Sequence, residues 1–208
     1  MGVFLTAAII ALIIIILFLL NFYRDPERKI PQGNNIVSPA DGKIIRILKV
    51  KNNKADNKIK ISKGLLGKIE SLTSDIAKEC YVISIFMSPF DVHINRAPAD
   101  GKIISVRHEK GRYFAAFDIE KSLMNEKNEI VVENRIIGKI KVIQIAGFLA
   151  RRVVCAVKKD EKVNKGQRIG KIVLGSQVSL ILPAKNVIIT AKKGQKVSAG
   201  KTIIAEIR

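Results

Sequence analysis

The chain has 208 residues, 48% of them hydrophobic and 5% aromatic, with no tryptophan; that is enough apolar material for one packed domain and excludes a disordered protein. Lys and Arg number 37 against 18 Asp and Glu, a net charge of +19, which points to an anionic partner, either nucleic acid or an acidic membrane. The shortage of aromatic rings removes the stacking platforms of RNA-binding modules and argues against nucleic acid. Cys80, Cys155, His93 and His108 lack the spacing of a zinc or dinuclear centre and the density of a disulfide framework; both cysteines read as buried thiols.

The first predicted element runs from Val3 to Leu20, 18 residues without a charge, 14 of them Val, Ile, Leu or Phe. At about 1.5 Å per residue this run reaches roughly 27 Å, close to a hydrocarbon core. A cleaved signal peptide would carry a basic start and a small-residue cleavage site; here no basic residue precedes the run, and Asn21-Phe22-Tyr23-Arg24 follows it. Residues 1–22 are therefore expected to form a single-pass anchor. Arg24, Arg28 and Lys29 come next, so the positive-inside rule places the domain 23–208 in the cytoplasm, its basic surface facing an anionic leaflet of the cell membrane.

Beyond Pro31 the pattern changes to short β runs and repeats itself. Ser-Pro-Ala-Asp-Gly-Lys-Ile-Ile at 38–45 returns as Ala-Pro-Ala-Asp-Gly-Lys-Ile-Ile at 97–104, and residues 157–170 return in looser form at 191–204, offset by 34. Asp-Gly between extended segments marks a tight turn into a strand. The second pair is similar to the turn-strand pattern of lipoyl- and biotinyl-type β-barrels. The expected fold is mainly antiparallel β with those barrel elements, one N-terminal transmembrane helix, an amphipathic helix around Leu65–Lys78 and a shorter one near Ile119–Asn125.

Three places invite chemistry. Asp41 lies in Ser38-Pro39-Ala40-Asp41-Gly42, His93 in Met87-Ser88-Pro89-Phe90-Asp91-Val92-His93-Ile94-Asn95-Arg96, and Gly175-Ser176 in the middle of an apolar β run. Taken singly, each has an ordinary reading: a turn aspartate, a structural histidine, a bulge. Their order behind a membrane helix resembles the phosphatidylserine decarboxylase family in its short, single-helix form, from about Phe22 to Pro183. Gln144–Arg152, Gly166-Gln167-Arg168-Ile169-Gly170 and Leu174-Gly175-Ser176 complete the set.

The resemblance implies self-cleavage of the Gly175–Ser176 bond into a β chain 1–175 and an α chain 176–208. The Ser176 hydroxyl would attack the Gly175 carbonyl to give an ester; elimination would leave dehydroalanine, and loss of ammonia a pyruvoyl group. That ketone is the expected cofactor, with no pyridoxal phosphate and no metal, and it condenses with the amine of the substrate's serine headgroup so that carbon dioxide can leave. The family assigns the carboxylate of maturation to Asp41, and an imidazole, His93, is the expected base. The substrate is a membrane phospholipid, phosphatidylserine or the ether-linked archaetidylserine, converted to its ethanolamine lipid. The partners expected are the two fragments as a heterodimer, with a homo-oligomer left open and no nucleic acid. Longer bacterial forms carry a second histidine where this chain has Arg96, so His93 is assigned to both maturation and decarboxylation. Arg96, Arg151 and Arg152 are candidates to bind the lipid phosphate or carboxylate, Arg96 equally a structural ion pair, and His108 reads as a solvated turn residue. The competing classes are a membrane-anchored carrier or adaptor of lipoyl type, which would stay uncut, and a metallopeptidase, which two histidines without a His-x-His pair argue against.

Overall fold

The computed structural model describes residues 2–51, 72–111, 124–147, 152–173 and 176–208. Helix α1, Gly2–Phe22, is 21 residues long, bears no charge, and is long and apolar enough to cross a membrane. Its side chains stand exposed except Phe18 and Asn21, which are half-buried, and Phe22, which is buried.

Among the described residues fourteen strands follow: β1 Asn35–Val37, β2 Gly42–Lys51, β3 Glu79–Met87, β4 Ile94–Arg96, β5 Gly101–Glu109, β6 Lys127–Asn134, β7 Gly138–Ala146, β8 Val153–Cys155, β9 Lys162–Val163, β10 Arg168–Ile172, β11 Ser176–Pro183, β12 Val187–Ile189, β13 Lys196–Val197 and β14 Ile203–Ile207. They form a curled eight-stranded sheet, in the order β13-β2-β3-β11-β7-β6-β5-β9, and two three-stranded sheets, β1-β14-β12 and β4-β10-β8. Every pairing is antiparallel, so the expected mainly β fold holds.

The repeats in the sequence are repeats in space. β2 maps on β5, β3 on β6, β13 on β9, β14 on β10 and β1 on β4; under that mapping the long sheet reads the same from either end, and the two small sheets coincide. Both Asp-Gly turns lead into a strand, and each strand breaks register at the equivalent point, between Ile44 and Arg46 in β2 and between Ile103 and Ser105 in β5. The two turns bond each other: the Arg96 amide donates to the Pro39 carbonyl and the Val37 amide to the Pro98 carbonyl, both at 2.9 Å. Gly42 has φ +143, and a Cβ there would stand 2.1 Å from the Phe86 carbonyl oxygen, so only glycine can open β2 at this point.

Residues at the centre of the long sheet are buried on both faces. Val178, Leu180 and Leu182 of β11 join the main core with Ile44, Ile83, Ile85, Ile103, Ile130 and Val142. Ile181, on the opposite face, packs with Val50, Cys80, Val82, Ile143 and Ile145. Each fully buried aliphatic side chain contributes about 1.5–3 kcal/mol, and the two-sided burial takes in every residue of β11, its polar Ser176, Gln177 and Ser179 included.

Of the expected helices, residues 65–71 and 119–123 lie outside the described residues. The first ends earlier than expected: only 72–73 are helical, and a turn closes on the Ile76 amide to Thr73 carbonyl bond at 3.0 Å. There the buried Lys141 ammonium takes the Leu72 carbonyl at 2.9 Å and the Asp75 carboxylate at 2.8 Å, which fixes the segment as a cap over the outer face of the sheet. Met124 lies in a turn and Asn125 in a β-bridge, so the second does not reach Asn125 as a helix. His108 is a strand residue of β5, not a turn residue, its Nε2 3.0 Å from the Glu126 carboxylate.

Candidate active site

Three strand ends meet at the site. Ser176 opens β11 and pairs with Met87, the last residue of β3, and with Ala146, the last of β7. The alternation of a strand turns its side chain to the main core with Val178, and its hydroxyl, fully buried, donates to the Met87 sulfur at 3.4 Å. Leu174 and Gly175 lie outside the described residues.

Past β3 the chain makes a tight turn, Ser88-Pro89-Phe90-Asp91. Proline suits the second position, and the Asp91 carboxylate holds both the amide and the hydroxyl of Ser88 at 2.7 Å. His93 follows, with its Nδ1 2.8 Å from the Asp91 carbonyl oxygen. A carbonyl only accepts, so Nδ1 carries the proton and Nε2 presents a lone pair. Nε2 is buried and has no hydrogen-bond partner among the described residues. The imidazole packs against Phe22 of α1 at 4.4 Å between ring centres. Burial lowers its pKa, the Asp91 carbonyl and carboxylate oppose this, and the Arg24 charge adds to the lowering. The backbone joins His93 to the strand leading to Ser176, because the Ile172 amide donates to the His93 carbonyl at 3.2 Å.

Asp41, the carboxylate that the family resemblance assigns to maturation, makes its hydrogen bonds elsewhere. One Asp41 oxygen accepts the Ala199 amide at 2.8 Å, and the other the Arg28 guanidinium at 2.9 Å. Burial raises the Asp41 pKa; the Ala199 amide and Arg28 work against it, and the Asp91 charge reinforces it. The carbonyl of Asp91, not a carboxylate, is what aims His93.

Sequence motifs that were given no role supply the rest. The Asn95 amide group approaches the Met87 sulfur at 3.9 Å, its carbonyl oxygen accepts from Gln144 at 2.8 Å, and Gln144 accepts from Asn128 at 2.9 Å. These side chains are buried and link the Ser176 neighbour to three strands. Polar residues in otherwise apolar strand runs were the available signal.

The sequence model of the phosphatidylserine decarboxylase family matches residues 15–205. The chain belongs to that family. It is 43% identical over 199 residues to a protein of Methanocaldococcus jannaschii provisionally named archaetidylserine decarboxylase proenzyme, covering 94% of this chain and 93% of that one. It is 43% identical over 193 residues to a phosphatidylserine decarboxylase proenzyme of Chlorobium phaeobacteroides, covering 91% and 79%. A Methanothermobacter thermautotrophicus protein provisionally named archaetidylserine decarboxylase proenzyme is 39% identical over 204 residues, covering 92% and 81%.

In this decarboxylase, Arg96 holds the protein together. It is buried; one guanidinium nitrogen donates to the Gly166 carbonyl at 2.9 Å and another to the Pro26 carbonyl at 3.1 Å and Asp25 at 3.2 Å. Of its two expected readings, the geometry supports the structural ion pair. Arg152 is exposed just before β8, and Arg151 lies outside the described residues.

The segment after α1 is fastened across this face. Arg168 binds Asp25 and Glu27, each at 2.6 Å, and Arg28 binds Asp41. A Cβ on Gly166 or Gly200, which are equivalent positions of the repeat, would meet the Ile30 side chain at 2.3 Å or 3.1 Å, so Ile30 rests on both.

Proposed function

We propose that this chain is the proenzyme of a pyruvoyl-dependent decarboxylase of serine phospholipids, phosphatidylserine or archaetidylserine, which cuts itself between Gly175 and Ser176. The supporting observation is the neighbourhood of residue 176: a buried hydroxyl at the head of the central strand, tied through Met87 to the loop that carries His93. An uncharged ketone suits those buried surroundings, and the buried Nε2 of His93, without a partner among the described residues, is available to a proton. The pyruvoyl group supplies an electron sink for loss of the headgroup carboxylate.

The chain's own residues do the remaining work. Asp41, when ionised, is the carboxylate of maturation, and Arg28 and the Ala199 amide hold its charge. His93 accepts and returns a proton at Nε2 in both maturation and turnover. Phe22 covers its ring and keeps water away. Arg152, with Arg151, is the candidate contact for lipid phosphate. The helix α1 anchors the protein, and Arg24 and Lys29 set the catalytic domain on the cytoplasmic face. After the cut, β11, β13 and β14 stay paired with strands of the large fragment, which supports a tightly held heterodimer.

Mass spectrometry under denaturing conditions tests the reading. The purified protein should give fragments 1–175 and 176–208, the smaller beginning with a ketone, and should release carbon dioxide from serine phospholipid in vesicles. S176A should remain one chain and release none. An intact chain with a free Ser176 and full activity would overturn the proposal.

A further inference from the structure

The turn that fixes His93 also thrusts a phenylalanine outward. Phe90 is 69% exposed at the tip of Ser88–Asp91, a turn held from inside by the two Asp91 bonds and by the Asp91 amide to the Ser88 carbonyl at 3.0 Å. Exposure of so large a ring on a rigid turn needs a reason, and the neighbouring helix supplies one. The Phe90 ring meets Phe18 of α1 edge to face, with centres 6.2 Å apart. Arg24 clamps the two elements, donating to the Asn21 carbonyl at the helix end and to the Phe90 carbonyl at 2.8 Å.

Phe90 and the side chains of Ile14, Ile15, Leu17, Phe18 and Asn21 line one open hollow. Its depth follows from helix geometry. Phe18 lies four residues before the end of α1, about 6 Å along the axis, and Ile14 about 12 Å. A 21-residue helix spans about 32 Å, the thickness of the hydrocarbon core, so its last turns lie inside that core. A ring packed on Phe18 is therefore beneath the headgroups.

We propose that the Phe90 turn is a membrane wedge, inserted beside α1 into the leaflet the domain faces, and that the hollow takes a hydrocarbon chain of a membrane phospholipid. The proposal rests on reading α1 as membrane-spanning and deepens the function proposed above. His93 stands three residues beyond Phe90, just past the turn, so its Nε2 lies near the level of the headgroups. A serine headgroup then reaches the site while its tails stay in the bilayer.

The chain lacks tryptophan, so F90W places a single indole at the wedge. With the variant in vesicles of phosphatidylcholine and phosphatidylglycerol, emission should be blue-shifted, lose intensity to lipids brominated on the acyl chain, and resist acrylamide. K185W, at an exposed turn, should show the opposite on all three. An indole at position 90 that behaves like the one at position 185 overturns the wedge whatever the enzyme's activity. F90D gives the functional arm: it should still split at residue 176 but turn over vesicle-bound serine phospholipid about tenfold or more slowly through a raised KM. Unchanged vesicle turnover would also overturn it. Failure to split in the unsubstituted chain would count against the proposed maturation and leave the fluorescence result to decide the wedge.

Discussion

His93 combines two effects that usually oppose each other in a general base. The Asp91 carbonyl fixes the tautomer with Nε2 bare, and burial keeps the ring neutral below the ordinary histidine value of about 6.5. The acid limb of the turnover profile should therefore fall below pH 6.5, and pH dependence of kcat checks it. The same depression makes stability pH-dependent. Between the folded pKa and about 6.5 the unfolded chain binds a proton that the native protein does not, so stability falls as pH drops through that window and levels off below it. Urea unfolding of uncleaved S176A at several pH values, with and without H93Q, isolates this slope. Asp41, His93 and Ser176 stand out in the sequence because each lies in a local signature. Asn95 and Gln144 do not, because their importance arises from a contact across 49 residues that only the register of the sheets creates.

At the level of elements, the segment between α1 and β1 is the least legible part of the chain and the most consequential for Asp41. Its sequence, Arg-Asp-Pro-Glu-Arg-Lys, looks like an ordinary solvated linker with membrane-facing charge, yet Asp25, Glu27 and Arg28 each find a partner on the domain. Arg28 lowers the Asp41 pKa against the effect of burial. R28M should therefore raise it further and move the acid limb of self-cleavage to higher pH, because the carboxylate takes up its proton sooner on acidification. Time courses of fragment formation across pH measure this, and an unmoved midpoint would remove Arg28 from the maturation apparatus. By contrast α1 was read almost to the residue, since a long uncharged run admits few other structures. The helix around Leu65–Lys78 was misjudged at its end, where the buried ammonium of Lys141 captures the Leu72 carbonyl, which a continuing helix would have used.

At the scale of the whole molecule, a duplicated sequence has become a pair of similar halves of which only one is chemically equipped. Asp41 and Asp100 occupy equivalent turns, and each accepts a backbone amide, from Ala199 and from Lys165 at 2.7 Å. Asp41 is buried against Arg28, whereas Asp100 is exposed. D41N should block cleavage while D100N leaves it intact, as a denaturing gel would show; equal cleavage of both would mean that the carboxylate at position 41 has no part. The duplication was visible in the sequence, but its palindromic strand order was not, because strand partners across the middle of the sheet share no local motif. The position of β11 has a last consequence. It lies between β3 and β7, while β13 and β14 pair with β2 and β1, so a cut before Ser176 would leave two chains woven through one sheet without a covalent tie. Unfolding would then release two separate chains. Mass action would make its melting temperature fall on dilution, and separated pieces would have to find each other again as strangers in solution. Uncut S176A should refold and melt independently of concentration, so comparing the two by calorimetry at several dilutions would show that maturation exchanges recoverability for a catalytic group.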